Sequence, residues 1–415
     1  MIKPCGDRCI CACSYCYYSD PDESRAHGGL LDLETLQELT RQYLAFASPV
    51  PAISWQGGEP TLAGLPYFRR AVEFQKSRAA AGQRVQNGFQ TCGLLLDAEW
   101  ARFLAEERFL VGLSIDGPED LHDSTRRDRN GQPTHARAVA AFKMLREAGT
   151  DVNVLTVVST RSAGRGKEVY RFLRGIGADF MQFIPCGVGP EGRGSAGLIL
   201  RGRGYGEFAL EVIDAWLAED NPDVFIRTND NLLHLYFGLP VEYCQFSGDC
   251  SSMVTAEADG SIYPCDFFVE EKHKLGNIHD APLGELVLNG VHRRFARETT
   301  LCHRKCHSCE WYRFCHGGCL RERAGREGRG ANALCESMQI LFPGAFERYD
   351  SVLGGTAKAS PRIKAFLEKQ VRRWGWPHES KVAPPRGVPR AGEGALRSRA
   401  RAGSVSDVKK GAAEK

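Results

Sequence analysis

"CICACSYC", residues 9–16, sets four thiols in eight positions. Structural disulfides at such separations would be strained, because bridged Cα atoms stand about 4.4–6.8 Å apart with a fixed dihedral. Only one register in this stretch reads CxxxCxxC, namely Cys9, Cys13 and Cys16; starting from Cys5 would demand a cysteine where Ala12 stands. Three thiolates on one tight loop hold three irons of a [4Fe-4S] cube and leave the fourth without a protein ligand. An iron left open can bind a substrate or cofactor, whereas a fully ligated cube mainly passes electrons. Cys5 and Cys11 fall outside the register and read as non-ligand thiols.

Outward from this loop, short apolar runs alternate with amphipathic stretches to about residue 230, the pattern of βα units on a parallel sheet. "AISW" (52–55), "GFQT" (88–91), "FLVGLSI" (109–115), "VNVLTVV" (152–158) and "FMQFIPC" (180–186) read as strands, and "MIKP" (1–4) is the candidate for another. Between them "LDLETLQELTRQYLAFA" (31–47) reads as a helix with Asp32 as N-cap and Leu33, Leu36, Tyr43 and Leu44 on one stripe. About six strands of this kind make a partial or full α/β barrel, whose ligands sit at the C-terminal strand ends. "GRGYGEF" (202–208) has the glycines of a phosphate loop but follows no strand, so it is read as the start of a helix.

The chain has 415 residues, 42% apolar and 25% charged, with a net charge of +3. That is enough for one large core and a second module. The basic excess lies in the tail, so no basic face argues for nucleic acid. No run approaches a membrane span, and "MIKPCGDRC" lacks the apolar core of a signal peptide, which places the chain in the cytosol. Sixteen cysteines in such a chain point to metal or redox chemistry rather than disulfides.

A second module, about 236–345, follows the barrel segment of 1–235. Here Cys244 and Cys250 are spaced CxxxxxC, Cys265 follows, and Cys306, Cys309, Cys315 and Cys319 read CxxCxxxxxCxxxC before Cys335. Eight thiolates fill two four-ligand sites. On this block alone structural zinc is the competing reading, with His303, His307 and His316 nearby. A helical segment, 346–380, precedes a tail, 381–415, with nine Lys and Arg against three Asp and Glu; too apolar-poor to order itself, it reads as a solvated extension.

The N-terminal loop resembles that of the radical S-adenosylmethionine (radical SAM) superfamily, CxxxCxΦC with Φ aromatic, here Tyr15. That resemblance implies that "GGEP" (57–60) lies against the methionyl amino group of SAM, with Gly58 allowing close approach and Glu59 adding a charge-assisted bond. On its own "GGEP" reads as a type II turn. The same resemblance sets Ser114 and Arg126 near the SAM ribose and carboxylate, with Asp116 read as structural.

The cysteine block resembles the SPASM extension of radical SAM maturases. It implies that Cys244, Cys250, Cys265 and Cys319 hold one auxiliary [4Fe-4S] cluster, and Cys306, Cys309, Cys315 and Cys335 another, making three clusters with the first. The implied fold is a partial (β/α)6 radical SAM barrel followed by a small cysteine-rich SPASM domain. Cys92, Cys186 and Cys302 receive no role.

Within that group, "IKPCGDRCICACSYCYY", "WQGGEPTLAGL", "FLVGLSIDGPEDLHDSTR", "LTVVS", "GSIYPCDFF", "LGNIHDAPLGEL" and "WYRFCHGGCLRER" resemble the anaerobic sulfatase-maturating enzymes. This family oxidises a Cys or Ser of a nascent sulfatase, in a C/S-x-P/A-x-R motif, to Cα-formylglycine. Reductive cleavage of SAM gives a 5′-deoxyadenosyl radical that removes a hydrogen atom from the substrate Cβ. The resemblance makes Asp266 the general base, a role that a moderately raised pKa would suit; Asp266 also reads as a hydrogen-bonded turn residue. It further implies a flavodoxin- or ferredoxin-type electron donor and a monomer. Two positions depart from the family, Cys92 where Asn is usual and Cys11 where cysteine is not. The other readings are a SPASM peptide maturase forming thioether or carbon–carbon crosslinks, and a non-enzymatic zinc-binding protein.

Overall fold

The computed structural model describes residues 1–18, 29–187, 197–323, 330–355 and 360–374; the basic tail lies outside them. Helix α1 (Leu33–Phe46) leads into six parallel strands: β1 (Ala52–Trp55), β2 (Gln86–Thr91), β3 (Leu110–Ser114), β4 (Asp151–Val158), β5 (Phe180–Pro185) and β6 (Phe225–Ile226). They neighbour one another in sequence order. The crossovers carry α2 (Leu65–Arg78), α3 (Ala98–Glu106), α4 (Glu119–Thr125), α5 (His135–Glu147), α6 (Gly166–Gly175) and α7 (Gly204–Glu219), and α8 (Arg227–Phe237) follows the last strand. Parallel strands joined through helices form the wall of an α/β barrel.

Five strands fall where the short apolar runs place them; the sixth does not. "MIKP" forms no full strand: Ile2 makes single bridges to Trp55 and to Ala256, and Pro4, which has no N–H to continue a ladder, opens a turn. The sixth strand is β6, whose two residues are too few to show any period.

The Ile2 bridges have a structural consequence. Ile2 N–H donates to Ser54 O at 2.8 Å and Lys3 N–H to Ala256 O at 2.9 Å, so the N-terminal residues stitch the barrel sheet to a second one. That antiparallel sheet consists of β7 (Thr255–Ala256), β8 (Ser261–Tyr263) and β9 (Gly276–Asn277). It belongs to the cysteine-rich module, whose other elements are α9 (Cys244–Ser247), α10 (Leu283–Leu286), α11 (Gly290–Thr300) and α12 (Tyr312–Cys315).

Outside the sheet, an aromatic cluster locks helices to strands. The Phe68 ring on α2 lies 5.2 Å from Trp55, 5.0 Å from Phe89 and 5.5 Å from Trp100 on α3, and Phe68 is fully buried. Truncating such a side chain to Ala costs about 3–5 kcal/mol. Along β4 and β5 the alternate residues, Leu155 and Gln182 among them, are only half-buried. This set is where a parallel barrel leaves room for a ligand.

Asp32 caps α1 by accepting from Thr35 N–H at 2.8 Å. The buried stripe runs through Leu36, Leu39 and Leu44, with Leu33 exposed in the first turn. The glycines of "GRGYGEF" serve packing. A Cβ on Gly206 would stand 2.5 Å from Ser337 O, so its absence lets α7 seat against α13 (Cys335–Leu353). A last helix, α14 (Pro361–Trp374), buries Ile363 and Leu367.

Candidate functional site

The CxxxCxxC loop is held from both sides. Ala12 and Ser14 N–H donate to Arg127 O and Thr125 O at 2.8 and 2.9 Å, and Arg129 N–H donates to Ile10 O at 3.0 Å. On the other side Gly58 N–H donates to Gly6 O and Glu59 N–H to Arg8 O, at 2.8 and 2.7 Å. This second contact explains the glycine pair. A Cβ on Gly58 would lie 2.0 Å from Arg8 O, and one on Gly57, whose φ is +119°, would lie 2.6 Å from Gly6 O. What the glycines admit, among the described residues, is the backbone of the cysteine loop itself.

Glu59 is buried and clamps that loop to the end of β2. Its carboxylate accepts from Thr61 and Thr91 Oγ1, both at 2.7 Å, and from Cys92 N–H at 2.8 Å. The neighbouring thiols form a small group: Cys11 lies within hydrogen-bonding reach of Cys9, Cys13 and Cys92. A hydrogen bond with Cys11 draws the Cys13 thiol down to about 7, against burial and with help from Arg126.

At the end of β3, Asp116 is a hub. Its Oδ2 accepts from Arg126 Nε at 2.8 Å and from the Tyr15 hydroxyl, while Oδ1 accepts from Val157 N–H at 2.9 Å. Arg126 also points a nitrogen at Cys13 Sγ, 3.9 Å away. Three residues singled out from the sequence, Tyr15, Arg126 and Cys13, thus meet through a fourth that was read as structural. A guanidinium has five donors, so Arg126 can serve Asp116 and still present others to a carboxylate. Ser114 Oγ accepts from Gln90 Nε2 at 3.0 Å and keeps its own proton for another partner.

Asp266 sits where the two modules meet. Oδ1 accepts from Lys3 Nζ and from the Tyr18 hydroxyl, both at 2.7 Å; Oδ2 accepts from the Tyr17 hydroxyl and from Gln56 Nε2 at 3.3 Å. Lys3 also pairs with Glu257 at 2.7 Å. Burial would push the Asp266 carboxyl up, but the Lys3 ammonium and the hydroxyl donors override it and hold the pKa below the ordinary carboxylate range. The sequence leaves this pKa open, and the Lys3 ammonium and the hydroxyl donors set its direction. Lys3, Tyr17, Tyr18 and Gln56 were not foreseen, although Tyr17 and Tyr18 directly follow Cys16 and Gln56 directly precedes the glycine pair. Arg321 closes this corner, its guanidinium 4.1 Å from the Phe267 ring centre and 5.6 Å from that of Tyr17.

Nine of the remaining cysteines fall into two groups of electrostatic neighbours. Cys319 and Cys250 interact with each other and with Cys244 and Cys265. Cys306, Cys309, Cys315 and Cys335 form the other group, with Cys302 beside Cys306. Burial pushes the thiols of Cys250 and Cys315 up to about 11 and that of Cys319 to about 12, so ionising these three is favoured by a bound metal. All-sulfur donor sets suit iron–sulfur chemistry. Among the described residues no group of three or more Cys, His, Asp or Glu side chains is placed to hold a single metal ion.

The chain matches the model of the radical SAM superfamily over residues 4–173 and that of an iron-sulfur cluster-binding domain, SPASM, over residues 244–310. It is 34% identical over 361 residues to a cysteine-type anaerobic sulfatase-maturating enzyme of Clostridium perfringens, covering 85% of this chain and 97% of that one. A serine-type anaerobic sulfatase-maturating enzyme of Klebsiella aerogenes is 33% identical over 350 residues, covering 82% and 84%. Among solved structures, native anSMEcpe with bound AdoMet and Cp18Cys peptide superposes with a TM-score of 0.79 at 33% identity, over 85% of this chain and 98% of that one. Among the described residues no helix is long and apolar enough to cross a membrane.

Proposed function

The chain belongs to the anaerobic sulfatase-maturating enzymes, and from that membership we propose that it oxidises a Cys or Ser side chain of a nascent or unfolded sulfatase, in a C/S-x-P/A-x-R motif, to Cα-formylglycine. The observation that carries this reading is the placement of Asp266, bonded to Tyr17 and Tyr18 just after Cys16 and adjacent in sequence to Cys265. A single carboxylate thus stands between the loop of the first cysteine triplet and the nearer of the two four-cysteine groups.

In this reading Cys9, Cys13 and Cys16 hold a first [4Fe-4S] cluster, and Tyr15, Gly58, Glu59, Ser114 and Arg126 shape the seat of SAM. Cys244, Cys250, Cys265 and Cys319 hold a second cluster, and Cys306, Cys309, Cys315 and Cys335 a third. When bound, these groups supply a carbon radical that takes a hydrogen atom from the substrate Cβ, and an acceptor for the second electron.

Asp266 takes the proton of the substrate thiol or hydroxyl. Lys3 keeps it ionised at rest, so it is ready as an acceptor, and the Tyr hydroxyls fix its plane. A carboxylate offers about four lone-pair sites, all engaged here. The Gln56 contact is the longest, at 3.3 Å, and is the one that a substrate group displaces. For Ser the net change is loss of two hydrogens; for Cys, sulfur also exchanges for water oxygen. The barrel segment 1–235 then generates the radical and the SPASM segment 236–345 takes the electron, while the following helices α13 and α14 pack against α8. A flavodoxin- or ferredoxin-type protein supplies the first electron. A count of sixteen cysteines fits a reducing cytosol, where the chain acts as a monomer.

The test is anaerobic reconstitution followed by incubation with SAM, a reductant and a peptide bearing CxPxR or SxPxR. Mass spectrometry should show the aldehyde and one 5′-deoxyadenosine per hydrogen abstraction. A crosslinked peptide without aldehyde would overturn the reading.

A further inference from the structure

A surface cavity of about 590 Å³ opens beside the cysteine loop, with Cys9 in its wall. Its lining includes three arginines, Arg8, Arg129 and Arg137, against one acid, Asp128. The acid is committed: it pairs with Arg137 at 3.6 Å and accepts from Asn130 and Gln132 N–H at 2.9 Å. Arg8 and Arg129 are exposed, and among the described residues no carboxylate lies within ion-pair distance of either. Arg129 Nε donates to Cys9 O at 2.5 Å, so a positive side chain rests directly on the backbone of a cysteine of the triplet. Ile10, Leu62 and Leu95 supply apolar surface between the charges, and Leu95 is 40% exposed. Apolar contact inside a charged rim is the anatomy of a transient protein–protein interface.

Resting on the cluster assignment proposed above, we infer that this arginine-rimmed cavity is the docking surface of an acidic one-electron carrier protein, which reduces the cluster held by Cys9, Cys13 and Cys16 from outside the barrel. The carrier loses one electron, the cluster gains it, and no proton moves. Charge complementarity selects the partner: an excess of guanidinium charge raises the encounter rate with an acidic protein and orients it. Position selects the role, because Cys9 itself lines the cavity and the electron path is short. None of Lys3, Tyr17, Tyr18, Gln56 or Asp266 lines it, so a seated carrier leaves the corner around Asp266 free for the polypeptide substrate.

The test uses the full reconstituted chain and its Arg8→Glu and Arg137→Glu variants, with 5′-deoxyadenosine formation measured under two reductants, dithionite and enzymatically reduced flavodoxin. Reversing either charge should slow the flavodoxin-driven rate by roughly tenfold or more, and the loss should shrink as salt is raised, because exposed charges are screened. The dithionite-driven rate should stay within about twofold of the parent, since a small reductant needs no docking surface. A flavodoxin-driven rate that is unchanged, or that falls in step with the dithionite rate, overturns the inference. An unsubstituted chain that forms no 5′-deoxyadenosine with dithionite would instead break the proposed function itself, and this inference with it.

Discussion

The Lys3 ammonium lies 2.7 Å from Asp266 and 2.7 Å from Glu257, tying the start of the chain to the carboxylate beside Cys265. All three side chains are almost wholly buried, so the pair does more than decorate a surface. It sets the ionisation of Asp266 against the effect of burial. Replacing Asp266 by Asn keeps the shape and removes the base. Formylglycine formation should then fall by about 10² to 10⁴, the usual worth of a positioned general base, while SAM cleavage to 5′-deoxyadenosine continues. Aldehyde formation near the parent rate would place the base elsewhere.

Asp116 presents a different dependence, since it holds Arg126 and Tyr15 at once. Both partners of the ion pair are buried, with 11% and 5% of their side chains exposed. Asp116→Ala leaves the guanidinium without its counter-charge, and breaking a buried pair in this way costs about 3–5 kcal/mol. The melting temperature should drop clearly, and SAM should bind more weakly because Arg126 and Tyr15 lose their anchor. Equilibrium dialysis with labelled SAM at a temperature where the variant is folded separates the two effects; unchanged affinity would show that Asp116 serves stability alone.

Much of this was legible in the sequence because residue type and spacing carry it. The triplet register follows from cysteine spacing, the two four-cysteine sets are what the resemblance to the SPASM extension implies, and β4 and β5 stand out as short apolar runs. Other features leave no local signal. Strand β6 has two residues, so periodicity cannot report it. Lys3 and Asp266 are far apart in sequence, and nothing at either position foretells the other. For that reason the direction of the Asp266 shift could not be read from the sequence: burial could be guessed, the ammonium could not. The reason for Gly58 was likewise hidden, because the Arg8 carbonyl that it clears belongs to a separate loop.

That close approach makes Gly58 a sensitive position. A methyl group would stand 2.0 Å from Arg8 O, a distance that backbone must relieve by moving, one residue before Cys9. Gly58→Ala should therefore loosen the loop that bears the triplet while leaving the second module intact. Iron and sulfide analysis after reconstitution should show the N-terminal share lost, and the SAM-dependent change in the reduced electron paramagnetic resonance spectrum should disappear with it. Full iron content with a normal SAM response would mean that the loop absorbs the methyl group.

Away from the candidate site, Asp230 gives the fold a pH dependence of its own. Burial raises its carboxyl to about 7, only partly offset by the backbone N–H groups of Ile226 and Asp230 itself. An acid whose folded pKa exceeds its unfolded one binds more protons in the native state, so stability declines as the pH climbs from the ordinary carboxylate range towards 7. At about 1.4 kcal/mol per unit, this single group lowers stability by up to about 4 kcal/mol above pH 7. Asp230→Asn keeps an acceptor for the Ile226 N–H, which now donates to Oδ2 at 2.8 Å, and removes the charge. The variant should melt higher than the parent, by clearly more at pH 8 than at pH 5, as read by calorimetry on the anaerobic holoprotein. Equal melting temperatures at both pH values would show that Asp230 is solvated or paired in the native chain.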